Sequence, residues 1–402
     1  MAFGIPLEFW LFGITLAGVA AFHRHALWIS LAGLIAVTGF KLLAGGFTEG
    51  AGLPGLQSHF FHEWVLLANL FLLLLGFAVL ANQFELSNAP EAIPGLLPQN
   101  WMGGLCLLGL VFFLSIILDN IAGAVVGGVV ARHAYRDKVG IGFLAAIVAA
   151  ANAGGAGSVI GDTTTTMIWI AGVSPLEVAP AFVGATAAFA IFGIAASIQQ
   201  HRLSPIQPHI GAELDVGWMR LVTVGAMLLA LLCTNVVVSG FFPQVEHTLP
   251  ALGLGLWVAI VGTSLIRKPD WTVLAPAAIG AVFLLALVAT ASMMPVKSLP
   301  TPSWLSVFGI GIIAAVFDNI PLTALALEQG GYDWGLLAYA VGVGGSTLWF
   351  GSSAGVALTN LFPEGRSAIR WVKLGWHVSL AYIFGFFVML AVFGWSVSPV
   401  HQ

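Results

Sequence analysis

Twelve apolar runs, each close to or beyond the length that crosses a bilayer as a helix, follow one another along the chain with few charges inside them. A membrane-spanning helix needs about 20 consecutive apolar residues. Apolar residues make up 59% of the 402 residues and charged residues only 7%. A water-soluble domain of this length could not bury that much apolar surface behind so few charges. The sequence therefore predicts an all-α polytopic membrane protein. The runs cover residues 3–22, 26–45, 62–82, 101–132, 139–172, 178–199, 218–239, 250–266, 271–294, 302–327, 335–362 and 370–395.

The twelve runs divide into two sets of six that share one plan. The fourth run of each set contains the triplet Asp-Asn-Ile, at 119–121 and at 318–320. The fifth run of each set contains a glycine pair followed six residues later by another glycine. Two signals in the same order in both halves indicate duplication. We therefore expect a first repeat over 1–199, a cytoplasmic linker over 200–217 and a second repeat over 218–402.

The positions of the basic residues predict how the fourth runs enter the membrane. If 101–132 and 302–327 are re-entrant hairpins, eleven of the thirteen Lys and Arg residues lie on one side, with only Lys41 and Lys297 on the other. If both runs cross, the same charges divide five to eight. Because Lys and Arg collect on the cytoplasmic side, the hairpin arrangement is favoured. Each repeat then crosses five times, so the second is inverted relative to the first and both termini face the periplasm.

The fifth runs, 139–172 and 335–362, are expected to be broken helices. The glycine-rich stretches 152–161 and 342–351 are poor helix formers, and we expect each to be unwound, with Gly154-Gly155 and Gly344-Gly345 at their centres. Irregular backbone at membrane depth occurs only where it is buried in protein or lines a cavity. Its free carbonyls and half-helix ends are typical components of ion and substrate sites in secondary transporters.

Three of the seventeen acidic residues, Asp119, Asp162 and Asp318, lie deep within apolar runs. A charge at that depth costs several kcal/mol and marks a functional site by default. The same runs contain no Lys or Arg to neutralise these carboxylates, so a cation or a proton is the expected partner. Pure capping of a half-helix by Asp119 and Asp318 is the alternative, although Ser or Asn would cap without a buried charge.

Neutral oxygen ligands accompany the carboxylates in the same runs. Hydroxyl and amide oxygens suit Na⁺, and we expect Na⁺ to bind at Asp119, Asn152, Asp162 and Thr164. For each threonine taken alone, a hydroxyl that bonds back to the preceding helical turn is an equally good explanation. Ser352 stands where Asp162 stands in the first half, so the stronger cation site is expected beside the first break. The complete candidate set is Asp119, Asn120, Asn152, Asp162, Thr164, Thr165, Asp318, Asn319, Ser352 and Ser353.

These motifs resemble the NhaD-type sodium/proton antiporters. The family belongs to a wider superfamily that includes divalent-anion:sodium symporters and arsenite permeases. The resemblance rests on LDNIAGAVVGGVVA, AANAGGAGSVIGDTTTTMIWIAG, FDNIPLTALA and GGSTLWFGSSAGVALTN, and is specific around 115–170 and 310–360. It implies export of Na⁺ or Li⁺ in exchange for H⁺, with two re-entrant hairpins, two broken helices and a homodimer. It also implies roles in this exchange for the candidate residues named above.

Two features of the sequence depart from the family pattern. The stretch before Asp318 lacks a serine, and the second half has no asparagine opposite Asn152.

The leading hypothesis is therefore a Na⁺ (or Li⁺)/H⁺ antiporter of a bacterial inner membrane. The nearest alternative is a sodium- or proton-coupled carrier of organic anions (dicarboxylates) or oxyanions on the same fold, although aspartates at the hairpin tips would repel a dianion. An enzyme is not expected, because no Ser–His or zinc-ligand constellation is present. A passive channel fits poorly with inverted repeats. No cofactor is expected beyond the transported ions, and the small net charge of −4 argues against a nucleic-acid partner.

Overall fold

The chain is an all-helical, multi-pass membrane protein. The computed structural model describes residues 6–22, 25–47, 50–89, 96–206, 216–246, 248–296, 299–317 and 319–397. Apart from one isolated bridge between Phe47 and Gly50, the described residues contain no β-structure. Six helical segments are long and apolar enough to cross a bilayer, and several shorter apolar helices accompany them.

The helices of the first half are α1 (Leu7–Ala21), α2 (Ala26–Phe40), α3 (Gly52–Glu85), α4 (Trp101–Ile117), α5 (Asn120–Ala134), α6 (Ile141–Ala156), α7 (Thr163–Ile170) and α8 (Ala181–Leu203). Those of the second half are α9 (Trp218–Phe241), α10 (Ala251–Ser264), α11 (Leu274–Ser292), α12 (Trp304–Ala314), α13 (Asn319–Gln329), α14 (Trp334–Gly344), α15 (Ser353–Leu361), α16 (Ala368–Leu374) and α17 (Trp376–Phe393). Each apolar run of the sequence coincides with one helix or with two consecutive helices.

Three boundaries differ from the sequence-based expectation. Helix α3 begins about ten residues before residue 62, at Gly52. Helix α8 continues to Leu203, so the expected linker over 200–217 begins as helix, and its residues 207–215 lie outside the described residues. The last run is divided at Gly375, whose backbone (φ −97°, ψ 19°) separates α16 from α17.

Two compact units make up the chain, and each contains segments from both sequence halves. The first unit comprises Met1–Asn82, Val222–Pro300 and Ile320–Gly330. The second unit comprises Gln83–Leu221, Thr301–Asn319 and Gly331–Gln402.

In the first unit, α2 packs against both α1 and α11. Polar contacts join helices that are distant in sequence. The His59 ring lies 3.0 Å from the Ser292 hydroxyl, and the Gly253 N–H donates to Asn69 Oδ1 at 3.0 Å. Large apolar side chains such as Trp28 and Val258 are exposed, as expected for surfaces in contact with lipid.

The first unit also contains a buried acid near the start of the first apolar run. Glu8 is only 8% exposed and lies 3.9 Å from Lys41, which is also buried. Its burial is tolerated because a basic partner neutralises it.

The second unit is built around α6 and α14, which pack against each other. All sixteen residues of α6 and all eleven residues of α14 are buried. A helix that is apolar on every side needs a protein neighbour on every side. Helices α4, α5 and α8 surround α6, while α12 and α17 pack against α14.

Helices α4 and α5 form an antiparallel hairpin that turns at Leu118-Asp119. A β-carbon added at Gly123 would collide with the Ser115 side chain, and one added at Gly127 would collide with Val111. In each pair the two residues are equally far from residue 119 in the sequence, so the chain folds back on itself at that residue. Small residues allow this close approach of the two helices. In the sequence of the second half, α12 ends at Ala314 and α13 begins at Asn319; Asp318, between them, is outside the described residues.

The two broken helices are present, but their breaks start later than expected. Helix α6 continues through Gly154 and Gly155 to Ala156, and the non-helical stretch runs from Gly157 to Asp162. In the second half α14 reaches Gly344, and α15 begins at Ser353. The glycine pairs serve close packing rather than unwinding. A β-carbon at Gly154 would collide with the Phe112 carbonyl, and one at Gly155 with the Gly161 carbonyl.

Matching glycine contacts occur at the second break. A β-carbon at Gly344 would collide with the Gly311 carbonyl, and one at Gly345 would lie 2.7 Å from the Gly351 carbonyl. Phe112 and Gly311 each stand seven positions before the aspartate of their Asp-Asn-Ile triplet. Each broken helix therefore contacts the helix that precedes the triplet of its own half, α4 or α12, at the same distance in sequence from the aspartate.

Candidate functional site

Asp119 lies at the turn of the α4–α5 hairpin, inside the second unit. Helix α5 begins at the next residue, and the Asp119 carboxyl lies near the backbone N–H groups of Asn120 and Ile121, although no capping hydrogen bond of standard geometry is formed. The residue is 6% exposed, and its Oδ1 atom has no hydrogen-bond partner among the described residues. Capping of α5, the alternative considered from the sequence, would leave the Oδ1 atom of Asp119 without a partner.

Asp162 ends the first break and begins α7 from an extended backbone (φ −147°, ψ 139°). Its Oδ1 accepts hydrogen bonds from the Thr164 N–H at 2.9 Å and from the Thr164 hydroxyl at 3.0 Å. Its Oδ2 faces α14, where a β-carbon built on Gly342 would lie 3.7 Å away. The Asp119 carboxyl lies near enough to Asp162 for each to affect the other electrostatically. Asp162 therefore caps a helix with one oxygen and directs the other toward the second half of the chain.

Threonine hydroxyls close the backbone of the first break. Thr165 Oγ1 lies 2.6 Å from the Ser158 carbonyl and 2.9 Å from the Asp162 carbonyl, both hydrogen-bond acceptors. Thr166 Oγ1 makes the same kind of contact with the Val159 and Asp162 carbonyls, each at 2.9 Å. Thr165, a candidate ligand from the sequence, thus satisfies carbonyls that the break leaves without helical partners.

Asn152 connects the two halves of the site through three hydrogen bonds. Its Oδ1 accepts from Asn120 Nδ2 at 3.0 Å, and its Nδ2 donates to the hydroxyls of Ser346 at 2.9 Å and Ser352 at 3.0 Å. Asn152, Ser346 and Ser352 are fully buried. The Asn152 oxygen and both N–H groups of its amide thus each have a partner.

Ser352 occupies the position in the second break that Asp162 occupies in the first. Its backbone (φ −148°, ψ 152°) is nearly the same, and its hydroxyl caps α15 by accepting from the Gly355 N–H at 3.4 Å. Ser353, the first residue of α15, is half-buried, and Asn319, the first residue of α13, is buried. The candidate Asp318 lies outside the described residues.

Ser346 is a member of this site that the sequence reasoning missed. It lies in the short 3₁₀ turn after α14, and its carbonyl accepts from Trp371 Nε1 at 3.3 Å. The signal was present in the sequence, because Ser346 directly follows the glycine pair of the second break.

The structure therefore brings together carboxylate, amide and hydroxyl oxygens from both sequence halves. Asp162 Oδ2 and the backbone carbonyl oxygen of Asn152 both lie within 4 Å of the position that a β-carbon would take at Gly342. Oxygen-rich sites of this kind suit hard cations. The ion pairs Glu8–Lys41 and Asp137–Arg132 lie on other parts of the described chain.

Comparison with known proteins gives relatives of one kind. The chain is 28% identical to sodium/proton antiporter 1 of Arabidopsis thaliana over 290 residues, which is 62% of this chain and 49% of the relative. It is 28% identical to the Na⁺/H⁺ antiporter NhaD of Vibrio cholerae over 331 residues, 67% of each chain. The NhaD of Alkalimonas amylolytica is 28% identical over 359 residues, 75% of this chain and 72% of the relative.

The alignment thus spans about half the length of the Arabidopsis relative and about two thirds or more of the bacterial ones. No family model matches the chain. The resemblance to NhaD-type antiporters that the motifs indicated is confirmed by these relatives.

Proposed function

We propose that this protein is a secondary active transporter that exchanges Na⁺, or Li⁺, for H⁺ across the inner membrane. The observation that carries the proposal is the Asp119 carboxylate, which is buried at a hairpin turn with one oxygen unsatisfied and with Asp162 as an electrostatic neighbour. The relatives, which are named sodium/proton antiporters, support the same activity. They do not favour the organic-anion alternative.

Two buried carboxylates that interact as like charges need a positive partner. Without one, charging both in a medium of low dielectric constant is costly. A bound Na⁺ supplies that charge in one state, and H⁺ neutralises the carboxylates in the other. Competition between the two ions for Asp119 and Asp162 is sufficient to couple their opposite movements across the membrane.

Neutral ligands complete the proposed Na⁺ site. Thr164 holds Asp162 Oδ1 in place and keeps a hydroxyl lone pair for the ion. Asn152 contributes oxygen, since its Oδ1 accepts only one hydrogen bond, from Asn120, while both of its N–H groups are used by serines. The proposed Na⁺ ligands are therefore Asp119, Asn152, Asp162 and Thr164.

The proposal extends to the architecture. We place two inverted repeats, with re-entrant hairpins at 101–132 and 302–327, in a homodimer whose chain termini face the periplasm. The antiparallel α4–α5 hairpin and the matching glycine contacts of the two breaks support this arrangement. So does the strong sorting of basic residues to one side.

A liposome assay tests the function. The purified protein is reconstituted with a trapped pH-sensitive dye, a proton gradient is imposed, and Na⁺, Li⁺, K⁺ or a dicarboxylate is added in turn. We expect the gradient to collapse only with Na⁺ or Li⁺. Sodium-dependent uptake of a labelled dicarboxylate, with no response to Na⁺ alone, would overturn the proposal.

Substitution of the two carboxylates tests the site. Asp119→Asn and Asp162→Asn should each abolish exchange while the unfolding temperature in detergent stays near that of the wild type. Asp270→Asn is the matched control, because Asp270 is an exposed cap whose role Asn can replace. Full exchange by either of the first two variants would remove that residue from the site.

A further inference from the structure

Gly342 lies two residues before the end of the buried helix α14 and borders the proposed cation site. We propose that Gly342 determines which cations the site accepts, by leaving a methyl-sized space beside Asp162 Oδ2 and the backbone carbonyl of Asn152. This inference rests on the proposed function and adds to it a residue that controls specificity.

The geometry distinguishes Gly342 from the glycines that packing requires. A β-carbon built at Gly342 would lie 3.4 Å from the Ala156 β-carbon, 3.6 Å from the backbone carbonyl oxygen of Asn152 and 3.7 Å from Asp162 Oδ2. All three are ordinary van der Waals separations, so an alanine fits without any shift. At Gly344, two residues further on, the same addition would collide with the Gly311 backbone.

Backbone conformation does not require glycine at this position either. Gly342 is absent from the glycines of the described chain that have positive φ, and it lies within regular helix. Glycine in a helix interior costs about 0.5–1 kcal/mol relative to alanine. Packing and backbone geometry do not require glycine here, and the methyl-sized space that it leaves borders two oxygen atoms.

Filling this space should change ion binding without disturbing the fold. A methyl group at 342 would cover the side of Asp162 Oδ2 and the Asn152 carbonyl from which a cation, or a water molecule that it retains, approaches. Because Na⁺ is larger than Li⁺, Na⁺ should lose more. A serine at 342 would fill the same space but supply a hydroxyl oxygen, which can replace the lost coordination.

The test compares Gly342→Ala and Gly342→Ser with the wild type in the liposome assay. Gly309→Ala is the matched control, because Gly309 lies in α12 of the same unit and a β-carbon there meets nothing within 4 Å. We expect Gly342→Ala to raise the half-saturating Na⁺ concentration by about tenfold or more, as one methyl-sized change in a pocket typically does. Li⁺ should be affected less. Gly342→Ser should recover part of the Na⁺ response, and Gly309→Ala should match the wild type.

Unfolding temperature supplies the second measurement. We expect Gly342→Ala to unfold at or above the wild-type temperature, because alanine stabilises a helix. A lower unfolding temperature would mean that the space is not open, and it would overturn the inference. So would half-saturating Na⁺ and Li⁺ concentrations that stay within twofold of the wild type. If the wild type itself exchanges neither ion, the proposed function fails rather than the assignment of Gly342.

Discussion

The hydrogen bonds of Asn152 allow a prediction that does not depend on transport. Asn152→Ala removes all three side-chain bonds, to Asn120, Ser346 and Ser352. Side-chain hydrogen bonds inside membrane proteins contribute on average about 0.6 kcal/mol each, and at most about 1.7. The variant should therefore lose roughly 2 kcal/mol of unfolding free energy, or more if the buried partners it leaves stay unsatisfied.

The matched control is Asn69→Ala in the first unit. Asn69 is also a buried asparagine, but its Oδ1 accepts a single hydrogen bond, from the Gly253 N–H at 3.0 Å. Its removal should cost about a third as much, roughly 0.6 kcal/mol. Both variants lose a side chain of the same size, so the difference between them reports the two additional bonds of Asn152.

Equilibrium unfolding in mixed detergent micelles measures these free energies, and a double-mutant cycle with Ser352→Ala isolates one bond. We expect the double variant Asn152→Ala/Ser352→Ala to be less destabilised than the sum of the two single variants, because the bond can be lost only once. Strict additivity, together with equal losses for Asn152→Ala and Asn69→Ala, would refute the network.

Two further predictions concern the ends of helices in the second unit. Arg132 donates to the Leu361 carbonyl at the end of α15, and its guanidinium lies 4.9 Å from the centre of the Phe362 ring. Arg132→Ala should therefore lower the unfolding free energy by about 1–2 kcal/mol, and a denaturation curve for which wild type and variant coincide would contradict this. Asp333 caps α14 from a loop, and burial raises the pKa of its carboxyl above the usual value. Its contribution to stability should be complete below the unfolded-state pKa of about 4 and be lost as the pH rises through the raised folded-state pKa. Asp333→Asn, which preserves a cap, should remove this part of the pH dependence, and identical pH–stability profiles would count against it.

Much of the helical framework could be predicted from the sequence. Apolar runs of sufficient length determine where helices lie, because every backbone polar group inside a bilayer needs an internal partner. The triplet at 119–121 also coincides with the boundary between α4 and α5. These features are local, so composition and spacing reveal them.

The remaining features depend on contacts between distant residues. Glycine can mark either an unwound segment or a close approach, and Gly154 and Gly155 proved to be the second kind. The ion pair between Glu8 and Lys41 joins residues that lie in different apolar runs. Ser346 is joined to Asn152 across nearly two hundred residues. Only the tertiary structure can decide such cases.

The Asn152 amide has a consequence for how the two broken helices change shape. The Asn152 side chain of α6 donates to Ser346 near the start of the second break and to Ser352 at its end. Either end of the second break can therefore move away from α6 only if one of these hydrogen bonds is broken. Two such bonds amount to about 1.2 kcal/mol, or a population ratio of roughly eight to one. Two hydrogen bonds of that strength couple the conformations of the two breaks, yet they are weak enough to break by thermal motion.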